Sequence, residues 1–136
     1  MRDVNKIIIH CSATREGQAF SVDTIKQWHL ARGWSDIGYH YIVHLDGSIS
    51  YGRDVSKIGA HTKGHNTGSI GVCYIGGVEA DGRTPKDTRT PDQKESLLEL
   101  IKVLKKLNPS AIVHGHRDFA AKACPSFDAT TEYENI

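Results

Sequence analysis

The segment from His114 to Pro125 brings two histidines, a lysine and a cysteine into one short stretch of chain. Imidazole nitrogen and thiolate sulfur are ligands that zinc prefers in proteins. A catalytic zinc site takes three protein ligands and keeps one position open, so this segment needs a ligand from elsewhere. We predict that His10 supplies it, because His10 ends the apolar run of residues 7–9. The other elements then form a scaffold that brings His10 to the segment.

Two histidines compete for the second ligand position. His114 and His116 point to the same side of an extended segment, so either can reach a metal and spacing does not choose between them. Cys124 is the candidate thiolate, and Lys122 lies two residues before it. The set matches no compact zinc-finger spacing, so the residues alone make a metal site only suggestive.

The three cysteines make a poor disulfide framework, because their number is odd and their spacings are wide. Cys73 lies in an apolar stretch, where a thiol acts as a small buried hydrophobic side chain. Cys11 directly follows His10, and neighbours in a strand face opposite sides. We therefore expect Cys11 to be structural and not a second ligand to the same metal.

Several strands are needed to place these residues side by side. A β-branched run predicts a strand over residues 6–11 that is covered on both faces. Asp46-Gly47 predicts a hairpin turn between two further strands. The predicted strands are 6–11, 39–45, 48–52, 69–75 and 111–113.

Two helices are predicted between these strands. Ser21 caps a helix over about residues 22–32, and Gly33 closes it. Thr90-Pro91-Asp92-Gln93 combines a capping box with proline at the first helical position, and predicts a helix to about Lys106. The expected buried faces are Val22, Ile25 and Trp28 or His29 in the first helix, and Leu97, Leu100, Ile101, Leu104 and Leu107 in the second.

The order of strands and helices predicts an α/β fold, with helices packed on a mixed sheet. A chain of 136 residues without repeat or linker is expected to form one domain, residues 1–136. Residues 78–89 are polar and are expected to form an excursion at the surface.

Composition and charge argue against several classes of function. A net charge of +1, from 17 Lys and Arg against 16 Asp and Glu, argues against nucleic acid as a partner. No apolar run is long enough to span a bilayer, and the start of the chain shows no signal-peptide pattern. We expect a monomer without a membrane partner, synthesised in a cytoplasm.

Several short pieces of sequence, spread over nearly the whole chain, together carry a family resemblance. The pieces are Ile9-His10-Cys11-Ser12-Ala13-Thr14, Gly38-Tyr39-His40-Tyr41, Asp46-Gly47, Gly59-Ala60-His61, Asn66-Thr67-Gly68-Ser69-Ile70-Gly71-Val72, Gly115-His116-Arg117-Asp118 and Lys122-Ala123-Cys124-Pro125-Ser126-Phe127-Asp128. The sequence resembles the zinc-dependent N-acetylmuramoyl-L-alanine amidases of the type-2 amidase family. That family includes amidase-type phage lysozymes and peptidoglycan recognition proteins, and the resemblance is strongest to the phage lysozymes.

The resemblance implies a fold and a metal site. The fold is a mixed sheet of about five strands with flanking helices, in agreement with the predicted order of elements. The metal is one Zn²⁺ per chain, held by His10, His116 and Cys124, with His114 as a neighbour on the strand.

The resemblance also implies roles for three residues around the metal. Lys122 can direct its positive charge at the oxyanion that develops on the attacked carbonyl. Tyr39 can hydrogen-bond the attacking water or the oxyanion, and can help to move a proton to the leaving amine. His61 corresponds to a histidine at the rim of the substrate groove. On the residues alone, a solvated position for Lys122 and simple strand packing for Tyr39 stay open.

The reaction implied by the resemblance is zinc-dependent hydrolysis of the amide bond between N-acetylmuramic acid and L-alanine, with peptidoglycan as the partner. Such an enzyme acts on the cell wall. Release by a holin, as for a phage endolysin, fits the lack of an export signal, and so does cytoplasmic recycling of wall fragments.

Two other functions compete with this one. A module that binds peptidoglycan without cutting it is the first, but non-catalytic relatives typically lose the cysteine ligand and this chain keeps Cys124. Inhibition of a phage-type RNA polymerase is the second. It relies on a longer N-terminal extension than the nine residues before His10. The enzyme is the favoured hypothesis.

Overall fold

The computed structural model describes residues 2–136. The strands are β1 (Lys6–Cys11), β2 (Thr14–Arg15), β3 (Tyr41–Val43), β4 (Ile49–Tyr51), β5 (Ser69–Tyr74), β6 (Gly77–Val78) and β7 (Ile112–Gly115). The helices are α1 (Val22–Ala31), α2 (Pro91–Leu107) and α3 (Ala129–Glu132), and a short 3₁₀ turn spans His116–Asp118. No helix within residues 2–136 is both long and apolar enough to cross a membrane.

Five strands form a mixed central sheet in the order β4-β3-β5-β1-β7. Only β3 and β4 pair antiparallel, as expected for the hairpin at Asp46-Gly47, while β3, β5, β1 and β7 run parallel. The short strands β2 and β6 pair beside this sheet. The predicted mixed α/β fold with a five-stranded sheet is confirmed.

Strand β1 lies inside the sheet and is covered on both faces, as its β-branched run predicts. Ile7, Ile8 and Ile9 are all fully buried. Because side chains alternate along a strand, Ile7 and Ile9 face one side, where they join the main core cluster with α2. Ile8 and His10 face the other side. His10 therefore emerges at the carboxyl end of a rigid, buried strand.

Helix α2 begins as predicted and has a narrower buried face than predicted. The Thr90 hydroxyl accepts from the Gln93 N–H, and the Gln93 side chain accepts from the Thr90 N–H, which completes the capping box. Leu97, Ile101 and Leu104 are buried against the sheet. The prediction that Leu107 is buried is wrong, because this last helical residue is 71% exposed.

Helix α1 carries the predicted cap, and the structure decides which of two residues lies on its inner face. The Ser21 hydroxyl accepts from the Thr24 N–H. Ile25 and His29 are buried, whereas Trp28 is 37% exposed. The His29 Nδ1 accepts a hydrogen bond of 2.8 Å from the backbone N–H of Gly38, so this buried histidine is satisfied within the core.

The prediction of a polar surface excursion over residues 78–89 is wrong at both ends, because Val78 is buried in β6 and Thr88 and Arg89 are buried as well. Arg89 is only 7% exposed. Its guanidinium pairs with the carboxylates of Asp87 and Glu132 and lies 3.4 Å from the centre of the Phe127 ring. A buried arginine with two carboxylate partners and an aromatic face is well satisfied. This network ties the start of α2 to the chain that follows Cys124.

We expect His29 to contribute to acid sensitivity of the fold. Burial lowers the pKa of His29 to about 4, so between pH 6.5 and 4 the unfolded chain binds a proton there that the folded chain does not. Stability should therefore fall as the pH drops through this window. His29→Gln keeps an acceptor for Gly38 and should reduce the slope of unfolding free energy against pH by about one proton. Urea unfolding at a series of pH values measures this, and an unchanged slope would contradict it.

Candidate metal centre

Three side chains from distant parts of the chain converge at the carboxyl edge of the sheet. One donor atom from each of His10, His116 and Cys124 lies within 4.8 Å of the other two. The Cys124 Sγ is 3.9 Å from the His10 Nδ1, and the ring centres of His10 and His116 are 4.6 Å apart. Two imidazoles and a thiol at this spacing form a donor set that fits a metal ion.

The sheet register explains why His10 meets His116. β1 and β7 run parallel with Ile9 opposite Gly115, so both strands end at the same edge, and His10 and His116 directly follow this pair. The predicted alternative, His114, belongs to the strand itself. Its Nδ1 lies 3.7 Å from the Asp118 carboxylate, and it is not part of the three-residue group.

The Cys124 loop is held to the sheet by backbone and side-chain contacts. The backbone N–H of Cys11 donates to the Cys124 Sγ at 3.2 Å, and the Arg117 N–H donates to the Cys124 carbonyl at 2.8 Å. The Tyr74 hydroxyl donates to the Pro125 carbonyl at 2.6 Å. Cys11 thus contributes through its backbone, while its own thiol stays outside the donor group, as expected for a structural residue.

The electrostatics of the site suit neutral imidazole donors. Burial lowers the pKa of His10 well below 6.5, and the neighbouring His61, His116 and Lys122 lower it further. Burial and then Lys122 also lower the pKa of His116. Both rings are therefore neutral at pH 7 and present a lone pair.

The pKa of the Cys124 thiol is raised, whereas those of the two histidines are lowered. Side-chain hydrogen bonding with the Cys11 thiol, followed by burial, raises its pKa, so a bound cation is needed to hold this sulfur as a thiolate at neutral pH. The backbone N–H of Cys11 is placed to stabilise that thiolate. The donor set thus fits a divalent metal of the borderline-soft kind, with two neutral nitrogens and one anionic sulfur.

Tyr39 and Lys122 both lie beside this group. The Tyr39 ring centre is 5.1 Å from that of His10, and burial followed by the nearby cysteines raises the pKa of its phenol well above 10. Tyr39 is therefore a neutral hydrogen-bond donor. The Lys122 side chain is exposed, and its charge is close enough to lower the pKa of two histidines of the group.

His61, which the resemblance places at the rim of the substrate groove, is buried next to His10. It is 9% exposed, and its Nδ1 lies 2.9 Å from the His10 Nε2. Its Nε2 lies 3.3 Å from the Ser69 hydroxyl. The ring thus sits behind His10, with both nitrogens engaged inside the protein.

Sequence reasoning missed the residues that surround His61. Thr62, Asn66 and Ser69 all contact His61 or its backbone. Two of them fall within the piece Asn66–Val72 that carries the resemblance, but short polar side chains in a glycine-containing loop gave no reason to choose them.

A family model matches most of the chain. The model of the N-acetylmuramoyl-L-alanine amidases matches residues 1–127. The chain belongs to the N-acetylmuramoyl-L-alanine amidase family. The predicted resemblance is therefore confirmed.

Relatives of this family member include phage proteins. The endolysin of Klebsiella phage KP32 is 42% identical over 133 residues, which cover 98% of this chain and 87% of the relative. The endolysin of Escherichia phage T7 is 43% identical over 128 residues, which cover 94% and 84%. Among solved structures, the N-acetylmuramoyl-L-alanine amidase LysC from Clostridium intestinale URNW has a TM-score of 0.81 at 27% identity, covering 96% of this chain and 82% of that one.

The choice between the two strand-end histidines can be tested directly. His116→Ala should lose most bound metal, because it removes one of three donors, whereas His114→Ala should retain it. The measurement is elemental analysis after loading with Zn²⁺ and dialysis. Metal loss in His114→Ala with retention in His116→Ala would show that the ligand assignment is wrong by two residues.

Proposed function

We propose that this chain is a zinc-dependent N-acetylmuramoyl-L-alanine amidase, which hydrolyses the amide bond between N-acetylmuramic acid and L-alanine in peptidoglycan. The observation that carries the proposal is the convergence of His10, His116 and Cys124 in a chain of this family. A binding module would not need a complete set of metal donors. Relatives named endolysin further support action on a bacterial cell wall.

Zinc is the metal that the donor set favours. Two imidazoles and one thiolate are a three-ligand set of the kind found in catalytic zinc sites, which keep one position open. When bound, zinc acts as a Lewis acid that polarises a carbonyl and makes water a better nucleophile at neutral pH. His10, His116 and Cys124 would hold it.

Lys122 is proposed to stabilise the oxyanion that develops on the attacked carbonyl. It is two residues from Cys124, its side chain is exposed, and its charge acts on His10 and His116. A cation placed beside the donor group is attracted more strongly to an oxyanion than to a neutral carbonyl. The interaction therefore favours the transition state over the substrate.

Tyr39 is proposed to donate a hydrogen bond at the same position. Its phenol stays protonated at neutral pH because burial raises its pKa. A neutral phenol can donate to the oxyanion or to the attacking water, and can help to pass a proton to the leaving amine. Its ring is packed against His10 and His29, which restricts its orientation.

The bond that is cut can be identified from the products. An amidase should release new L-alanine amino termini from purified peptidoglycan without new reducing sugars. Amino-terminal labelling and a reducing-sugar assay on the same digest measure both. Reducing ends alone would indicate a glycosidase and contradict the proposal.

Cys124→Ser should abolish cutting and leave wall binding intact. Serine has nearly the same shape as cysteine, but its hydroxyl is a far weaker zinc ligand than a thiolate. The variant should lose most zinc, release no L-alanine amines and still sediment with insoluble peptidoglycan. Cys11→Ser is the matched control, because the backbone N–H that contacts residue 124 remains, and it should keep its zinc. A Cys124→Ser variant that cuts as fast as wild type would contradict the metal mechanism.

Lys122→Ala should lower kcat by about a hundred- to a thousandfold, as for loss of one oxyanion donor. Zinc content should stay normal, because lysine is not among the donors. The control is Lys94→Ala, an exposed lysine on α2, which should leave turnover unchanged. If the Lys122 variant turns over as fast as wild type, Lys122 is a solvated surface residue without a catalytic role.

A further inference from the structure

A series of hydrogen bonds extends from His10 into the protein interior, away from the other two donors of the candidate metal centre. The His10 Nε2 lies 2.9 Å from the His61 Nδ1, and the His61 Nε2 lies 3.3 Å from the Ser69 Oγ. The Ser69 hydroxyl in turn donates to the Asn66 carbonyl at 3.0 Å. His10, His61 and Ser69 are all buried, so water does not replace these partners.

The donor and acceptor roles along these hydrogen bonds follow from the Asn66 carbonyl, where the series ends. A carbonyl oxygen only accepts, so the single hydroxyl proton of Ser69 is used on Asn66. The Ser69 oxygen must then accept from the His61 Nε2–H. A buried imidazole without a carboxylate partner is neutral and carries one proton, so the His61 Nδ1 is left as an acceptor. The His10 Nε2 must therefore donate to it.

The other tautomer of His10 would leave a buried nitrogen without a partner. It would set two lone pairs against each other across the 2.9 Å between His10 and His61. The Thr62 hydroxyl lies 2.9 Å from the His61 Nδ1 and 3.3 Å from the His10 Nε2, and its one proton can serve only one of them. A buried acceptor without a hydrogen-bond partner is costly enough to decide the tautomer.

We propose that Ser69 and His61 form a relay that holds His10 in the Nε2–H tautomer, so that the lone pair of its Nδ1 faces His116 and Cys124. His61 is thus a positioning residue. The role of this tautomer in metal binding rests on the proposed function, whereas the hydrogen bonds that set the tautomer do not depend on a metal. The His10 Nδ1 is the nitrogen that lies 3.9 Å from the Cys124 Sγ, as the relay requires.

The fold makes room for the His61 ring in this position. A Cβ on Gly71 would lie 2.6 Å from ring atoms of His61, and a Cβ on Gly59 would lie 2.7 Å from one. Neither glycine has a positive φ, so crowding and not backbone conformation requires glycine at both positions. At Gly71 the crowding comes from the His61 ring, and at Gly59 it comes from the His61 ring together with the Gly38 carbonyl and the His40 ring. The backbone N–H groups of His61 and Thr62 both donate to the Asn66 side chain, at 2.9 and 2.8 Å. Asn66 therefore anchors both the ring and the end of the relay.

Two variants of His61, whose new side chains have nearly the same shape as each other, separate the effect of hydrogen bonding from that of packing. His61→Asn places an amide oxygen close to the position of Nδ1, whereas His61→Leu has the same branched shape without polar atoms. We expect His61→Leu to weaken Zn²⁺ binding by about 10- to 100-fold, in the range seen for loss of an outer partner of a metal ligand. His61→Asn should stay within a few-fold of wild type. Competition with a chromophoric chelator measures both constants.

The tautomer itself can be observed without metal or activity. Long-range ¹H–¹⁵N correlation spectra of the histidine-labelled, metal-free protein should show His10 as the Nε2–H form in wild type and in His61→Asn. Mixed tautomers are expected in His61→Leu. If that variant does not fold, Ser69→Ala should give a smaller shift in the same direction.

Specific results would overturn the relay. An Nδ1–H tautomer in wild type would do so, as would His61→Leu that keeps both the wild-type tautomer and wild-type zinc affinity. Equal loss of affinity in the Asn and Leu variants would assign His61 to packing alone. A wild-type protein that shows the Nε2–H form but binds no zinc would instead refute the proposed metal function and leave the relay standing.

Discussion

The parallel pairing of β1 with β7 is the constraint on which the candidate site depends. Its register sets Ile9 opposite Gly115, so His10 and His116 leave the sheet side by side. Because side chains alternate, a slip of one residue would turn His10 into the core packed by α2 and remove it from the site. The fully buried isoleucines of β1 make such a slip costly. Apolar burial thus fixes the position of two polar donors.

The third donor, Cys124, lies in a loop and not at the end of a strand. Hydrogen bonds and packing of the following residues therefore fix its position. Cys124 is held by the Cys11 N–H on one side and by the Arg117 N–H on the other. Beyond it, Phe127 packs in the main core and under the Arg89 guanidinium. A buried ion-pair network is weak evidence for stability, but it fixes one arrangement of the chain. Here that arrangement sets where Cys124 can lie.

Local pattern predicted most of the scaffold and part of the site. The β-branched run of β1 and the capping box of α2 are local signals, and both elements formed near their predicted bounds. The choice of His116 over His114 came only from the family resemblance, because both lie on the same side of an extended segment. Burial of Arg89 depends on Glu132, 43 residues away, so no local pattern could show it. The position of His61 depends on Gly71 in another element for the same reason.

The outer partner of His10 matters for charge as well as for orientation. A carboxylate in the place of His61 would also accept from the His10 Nε2–H, and it is a common partner of metal-binding histidines. It would, however, add a full negative charge next to the donor group. Neutral His61 accepts the same hydrogen bond without that charge, and Lys122 adds a positive charge nearby. The thiolate of Cys124 would then be the one anionic ligand, so the site as a whole keeps a positive potential. Such a potential favours the negative charge that develops during amide hydrolysis.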